Sequence, residues 1–403
     1  MQQRYGGTGR AYGLAFLALS FPPTREPGEP INVSQLRTVQ VLGGGSAGSS
    51  AHVGSLAAGL VARGVRVTVC APQAVDSARD FTAAGSQFLP VPRRSDPAAV
   101  AALRAACTGA DVVHAHGLHA AARTALALSG RSVPLVVTWH TRRYAEGARR
   151  QILHLLERRA ARAAAVVLAP TSDLVDLARE RGARDARLAP LTVPPPRAVN
   201  PGPAGNGIGV DKLRAELGAV ERPLLVAAGN LVPQHGFTTL LDAARLWRDL
   251  DPEPLLVVAG EGRERDALRR RIRNEELPVS LVDPGDEPGE LLAAADLALL
   301  PSRWEGRSRF AQEALRAGVP LVATAVGGTP ELVGGAAELV PYGNAEALAR
   351  AVVRLIEEPA ERARLAGAGR AQAAGWPTED DTIAHVLSVY DELAQPLAAG
   401  RDH

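Results

Sequence analysis

Among 45 basic side chains there is a single lysine, Lys212, so an anion bound by this chain has to be held by arginine, histidine or backbone N–H groups. There are two cysteines, Cys70 and Cys107, with neither metal-type spacing nor a paired framework, which excludes a disulfide scaffold and fits a reducing cytoplasm. Charge of one sign is missing too: a formal net charge of +2 gives no general electrostatic reason to bind nucleic acid. No apolar run approaches the length of a membrane-spanning helix. The chain begins with Arg4 and Arg10, an apolar run from Leu14 to Phe21 and a Pro-rich stretch, the order of a signal peptide but without a small-residue cleavage pattern. Residues 1–37 are therefore expected to form a disordered leader, or to reflect an over-extended start.

What is present is an α/β pattern repeated over a length suited to two domains of common size, 403 residues with 46% hydrophobic content. TVQVL from Thr38 reads as a strand, GGGSAGSS as a glycine loop, and Val53, Leu56, Ala57, Leu60 and Val61 as the apolar face of a helix. A second strand from Val65 to Cys70 completes a βαβ unit and implies a parallel sheet. Gly43, Gly45 and Gly48 satisfy G-x-G-x-x-G, yet no acidic residue ends the second strand, and Asp76 comes several residues late for a ribose. A dinucleotide-dependent enzyme is thus a minor alternative.

DVVHAHG is a strand whose alternation puts His114 and His116 on one face, and PLVVTWHT delivers His140 and Thr141 to the end of another. Two readings are open: half of a metal site with His119 and His140 as further ligands, or one histidine packed in the sheet and the other lining a cleft. Between Arg142 and Arg162 runs an Arg-rich helix, read with Ile152, Leu155, Leu156 and Ala163 as its apolar stripe and Arg150, His154, Glu157 and Arg158 opposite. Such a helix is either solvated or rests on anionic lipid. Thr171 or Ser172 is expected to cap the helix that follows. Pro and Gly crowd residues 194–209, the expected linker between a first domain at 38–193 and a second at 210–375. A helix over 376–396, capped by Thr378, is expected to cross back to the first domain through Ile383, Val386, Leu387, Tyr390 and Leu393.

The chemistry is placed in PSRWEGRSRFAQEALRAGVPLVATAVGGTPELVGG, residues 301–335, where Glu305 and Glu313 flank a Gly/Ser/Arg turn at a helix start. Free N–H groups and the positive helix end suit a phosphate, and a neighbouring carboxylate suits sugar hydroxyls. With GGGSAGSSAHVGSLAAGLVARGVRVTV, DVVHAHG, VVTWHT, VVAGEG and GGTPELV in this order, the chain from Thr38 to Leu393 resembles a GT-B glycosyltransferase of family 4. The resemblance implies two Rossmann-like α/β domains facing a cleft and a retaining transfer of sugar from a nucleotide-sugar donor, with no metal and no cofactor beyond the donor. It implies that Glu313 bonds the donor ribose, that Glu305 holds sugar hydroxyls, and that Arg307, Ser308, Arg309 and Phe310 turn their N–H groups to the phosphates. Gly44, Gly45, Ser46 and Gly48 would approach from the other domain, and His116 would sit beside the transferred sugar. The implied partners are the donor and an acceptor such as a cell-envelope lipid, a glycan or a small metabolite.

Family members usually carry Arg and Lys in the loop after the first strand of the second domain; here AGNLVPQHG has Asn230 and His235. Arg307, Arg309 or Arg263 could supply the missing charge. Without compensation, the chain would be a sugar-nucleotide-binding protein on the same scaffold with weakened turnover.

Overall fold

A computed structural model of the chain describes residues 35–43, 47–75, 80–92, 97–189, 208–282 and 288–394. The expectations for Gly44, Gly45, Ser46, Asp76, the leader up to residue 34 and residues 194–207 of the linker lie outside the described residues.

Two wholly parallel sheets form two Rossmann-like halves. The first is built from β1 (Arg37–Leu42), β2 (Arg66–Ala71), β3 (Gln87–Pro90), β4 (Val112–His116), β5 (Leu135–Thr138), β6 (Val166–Ala169) and β7 (Ala186–Leu188), in the order β3-β2-β1-β4-β5-β6-β7. The second contains β8 (Leu224–Ala228), β9 (Leu255–Ala259), β10 (Val279–Val282), β11 (Leu297–Leu300), β12 (Leu321–Thr324) and β13 (Ala337–Val340), in the order β10-β9-β8-β11-β12-β13. The sequence dictates this arrangement through unbroken apolar strands: every residue of β4, β5, β6 and β11 is buried, as a sheet covered by helices on both faces requires. Alternation along β4 sends Val113 and Ala115 into the core on one face of the first sheet and Val112 into the core on the other.

That second face is shared with the end of the chain. The helix Glu379–Ala394 lays Ile383, Val386, Val389 and Tyr390 on it, against the helix Ala47–Ala62. Burying each such side chain contributes about 1.5–3 kcal/mol before ordering costs. The two helices touch at Gly59, where any Cβ would collide with Ile383 Cδ1. Thr378 starts the last helix: its hydroxyl accepts from Asp381 N–H at 3.1 Å while Asp381 accepts from Thr378 N–H at 2.8 Å.

Two local expectations need correction. In the helix Gly147–Ala163 the phase is rotated: Glu157, Ala160 and Ala161 face inward, whereas Ile152 and Leu155 are 58% and 67% exposed. The cause is Arg181, whose guanidinium bonds Glu157 at 2.7 Å and makes a buried carboxylate tolerable there. Thr171 occupies the N-cap position of the helix Ser172–Glu180 without a side-chain capping bond. Its hydroxyl instead donates to Asp173 at 2.6 Å.

Candidate active site

In an open parallel sheet, loops leaving two neighbouring strands in opposite directions open a crevice at their carboxyl ends. The first half has this reversal between β1 and β4, the second between β8 and β11. His116 ends β4, paired in register with Leu42 of β1, and Glu305 lies in the loop leaving β11.

Glu305 is fixed from two sides. Ser302, which is buried, donates its hydroxyl to Glu305 Oε1 at 2.8 Å, and His235 Nδ1 lies 3.4 Å from the same oxygen. His235 arrives on a short 3-10 turn, Pro233–His235, after β8, and Arg303 N–H donates to Gln234 carbonyl at 2.8 Å, so the two crevice loops are joined by their backbones. Asn230 is exposed in the same loop, and its side chain has no hydrogen-bond partner among the described residues.

Ser308 caps the helix Arg309–Ala317 by accepting from Ala311 N–H at 3.4 Å. The N–H groups of Arg309 and Phe310 stay open at its positive end. The Phe310 side chain itself belongs to the core of the second half. Arg309 Nε bonds Glu313 Oε1 at 2.6 Å, one turn along the helix; the arginine side chain is 59% exposed and the glutamate 10%. Arg307 is a different kind of cation: its Nε is buried with no hydrogen-bond partner, and desolvation, with repulsion from Arg316, pushes its guanidinium down to about 10. Arg263, the other candidate for compensation, is exposed.

The opposite wall is histidine. The rings of His52, His116 and His140 form a near-regular triangle with centroids 5.6 to 5.9 Å apart. Burial lowers His52 to about 4 and His140 to about 3, and burial plus the neighbouring rings hold His114 and His116 well below the usual range. All are neutral near pH 7. Gln40 Oε1 can only accept, so the 2.9 Å bond to His116 fixes the proton on Nε2 and leaves Nδ1 as a bare acceptor. Gln40 in turn donates to Tyr390 Oη at 2.9 Å, and Tyr390 Oη is hydrogen-bonded to His114 Nδ1 at 2.6 Å. His52 Nε2, His116 Nδ1 and His140 Nε2 have no hydrogen-bond partner. The described residues contain no group of three or more His, Cys, Asp or Glu placed to hold a metal ion. Both thiols are buried, with Cys70 pushed up to about 12 and Cys107 to about 11, and neither is a nucleophile.

The two walls are in contact through the loop that carries Glu305. Trp304 donates its indole N–H to Asp173 at 2.7 Å, Arg303 stacks over Tyr144 at 4.5 Å, and a Cβ on Gly306 would come within 3.6 Å of His140 carbonyl. Glu331 accepts from Ser172 N–H at 3.1 Å, supplying from the second half the cap that Thr171 does not give. A side chain at Gly328 would collide with Thr171 Cγ2, so glycine is what allows this approach.

A family model for glycosyl transferases group 1 matches residues 210–372, and one for a glycosyl transferase 4-like domain matches residues 47–194. The chain belongs to glycosyltransferase family 4. This family 4 member is 28% identical over 199 residues to an MMP alpha-(1->4)-mannosyltransferase of Mycolicibacterium hassiacum, covering 48% of each chain. It therefore spans about half the length of that relative. It is 28% identical over 276 residues to a 2-deoxystreptamine glucosyltransferase of Streptomyces kanamyceticus, covering 64% of this chain and 69% of the relative. Among solved structures, Anabaena HepE in complex with UDP superposes with a TM-score of 0.72 at 20% identity, over 89% of this chain and 100% of that one, which shows the shared GT-B fold.

For this family 4 member, the sequence names Glu305, Glu313, His116 and His235 as candidates but not the side chains in contact with them. His52 lies four residues before Leu56, on the buried face of its helix, and that spacing was a usable signal. The polar contacts of Gln40, Tyr390, Trp304 and Asp173 carry no sequence signal, because each partner lies far away along the chain. Gly48 lies in the first turn of the helix Ala47–Ala62.

Proposed function

We propose that this protein transfers a sugar from a nucleotide-sugar donor to an acceptor hydroxyl with retention of configuration. The donor would lie against β8 and β11 and the acceptor against β1 and β4. The observation that carries the reading is Glu305: Ser302 and His235 hold its carboxylate, and its loop is docked on the wall containing His140. A carboxylate so held suits sugar hydroxyls near the reacting carbon, where an oxocarbenium-like centre develops. The open N–H groups of Arg309 and Phe310, with Arg307, would offset the departing diphosphate without a metal, and Glu313 would meet the ribose. Gly44, Gly45, Ser46 and Gly48 would close on the donor from the first half. His116 would accept a bond from a sugar hydroxyl through Nδ1. HepE, on the same fold, was solved in complex with UDP, which supports a nucleotide ligand for this chain.

Incubation with a panel of nucleotide-sugars is expected to release nucleoside diphosphate; silence across the panel, with and without acceptors, contradicts the reading. One observation favours a second reading, binding without turnover: Asn230 is uncharged and exposed, and His235 is engaged with Glu305. That reading expects donor affinity without release, and activity gained on Asn230→Arg with His235→Lys.

The acceptor would be a cell-envelope lipid, a glycan or a small metabolite, and the setting cytoplasmic. No helix among the described residues is long and apolar enough to cross a membrane. Peripheral contact is proposed through the helix Gly147–Ala163, where exposed Ile152 and Leu155 stand among Arg149, Arg158, Arg159 and Arg162. Co-sedimentation with anionic vesicles should be salt-sensitive and lost on Leu155→Asp; absence of binding by the unaltered chain retires it.

A further inference from the structure

Beside the cleft, at the carboxyl ends of β4 and β5, a cavity of about 40 Å³ opens among Gly117, Leu118, Trp139, Thr141, Arg143 and Glu157. That is room for about three water-sized oxygens. His140 also lines it, and Trp139, Arg143 and a helix start bring donors to it. The helix Leu118–Ala127 starts at Gly117 with no side-chain cap, so the N–H of Leu118, which borders the cavity, has no acceptor from a capping side chain. Trp139 is 5% exposed and packs in the core, yet its indole N–H has no partner. Indole nitrogen only donates, and leaving such a buried donor unmet costs about 1–3 kcal/mol. Arg143 meets His119 Nε2 at 3.3 Å and has no carboxylate partner among the described residues. The one acid in the lining, Glu157, is already neutralised by Arg181 at 2.7 Å. A water could accept from two of these donors but would leave the guanidinium without a counter-charge.

We propose that this cavity is an oxyanion subsite on the acceptor side of the cleft, taking a phosphate or carboxylate group that the acceptor carries. The oxyanion oxygens accept from the Trp139 indole, the Leu118 N–H at the helix start and the Arg143 guanidinium. The assignment rests on the reading above that the first half binds the acceptor. It narrows that acceptor to an anionic molecule.

The test is calorimetric titration of the full chain with inorganic phosphate and, separately, with acetate, using glycerol as the neutral control. Saturable binding of either anion and none of glycerol is expected, with the stronger anion naming the group. Arg143→Ala and Trp139→Phe should each weaken it about tenfold or more, the loss of one charge-assisted or buried bond, while Arg307→Ala leaves it intact. No saturable binding, equal affinity in both cavity variants, or loss on Arg307→Ala overturns the proposal, the last because the anion would then be reporting the donor site. Nucleotide-sugar binding by the unaltered chain is read in the same buffer. Its absence counts against the transfer reading and not against the subsite.

Discussion

Glu305 and Arg307 are two residues apart and are held in opposite ways. Glu305 is anchored by a serine and a histidine, which removes the freedom a flexible carboxylate would lose on meeting a sugar. Arg307 is a largely buried cation whose Nε has no hydrogen-bond partner; its guanidinium lies 5.8 Å from the Trp376 ring and within the field of Glu331, and an anion would add to this partial compensation. Arg307→Ala is therefore expected to weaken nucleotide-sugar binding about tenfold or more by calorimetry; unchanged affinity removes Arg307 from the donor site. The histidines give a second prediction. His52 and His140 titrate near 6.5 when unfolded and at about 4 and about 3 when folded, so below pH 6.5 the unfolded chain takes up protons the folded one refuses. Stability from this source is complete above pH 6.5 and falls as pH drops toward 4, by up to about 1.4 kcal/mol per pH unit for each ring. The urea midpoint should fall between pH 7 and pH 5, and His52→Gln should flatten that fall; an equal fall in the variant contradicts the burial argument.

The helix Ser172–Glu180 has its N-terminus completed by Glu331 of the other half, while Asp173 in its first turn receives the Trp304 indole. Together with Arg303 over Tyr144, these contacts fasten the Glu305 loop to the first half. Trp304→Phe or Asp173→Asn should lower kcat for transfer several-fold with little change in calorimetric donor affinity; an equal loss in both would mean the contact supports donor binding instead. The strands and the first strand-helix-strand unit were legible because burial on both faces writes itself as unbroken apolar runs. The phase of the helix Gly147–Ala163 was not, because a periodicity argument puts Glu157 outside and only the distant Arg181 reverses that. The same limit hid the cap of the helix Ser172–Glu180, whose oxygen comes from a residue in another half.

Taken as a whole, the molecule is two parallel sheets whose reversals face a common cleft, with the last helix packed on the first sheet. Both sheets and the return of the last helix could be read from element order and its apolar stripe. The polar chain through that interface could not, since Tyr390 counts as one more apolar position until its hydroxyl is seen between Gln40 and His114. Tyr390→Phe should cost about 1–3 kcal/mol in chemical denaturation, by leaving buried partners unmet; a neutral effect would show that the hydroxyl does not brace His116. The proposed function makes Glu305 a donor-positioning carboxylate in a working transferase. Its most direct test is nucleoside diphosphate release from the preferred nucleotide-sugar by the unaltered chain and by Glu305→Gln. Release by the unaltered chain that falls about 100-fold or more in Glu305→Gln is the predicted result; equal release by both contradicts the account.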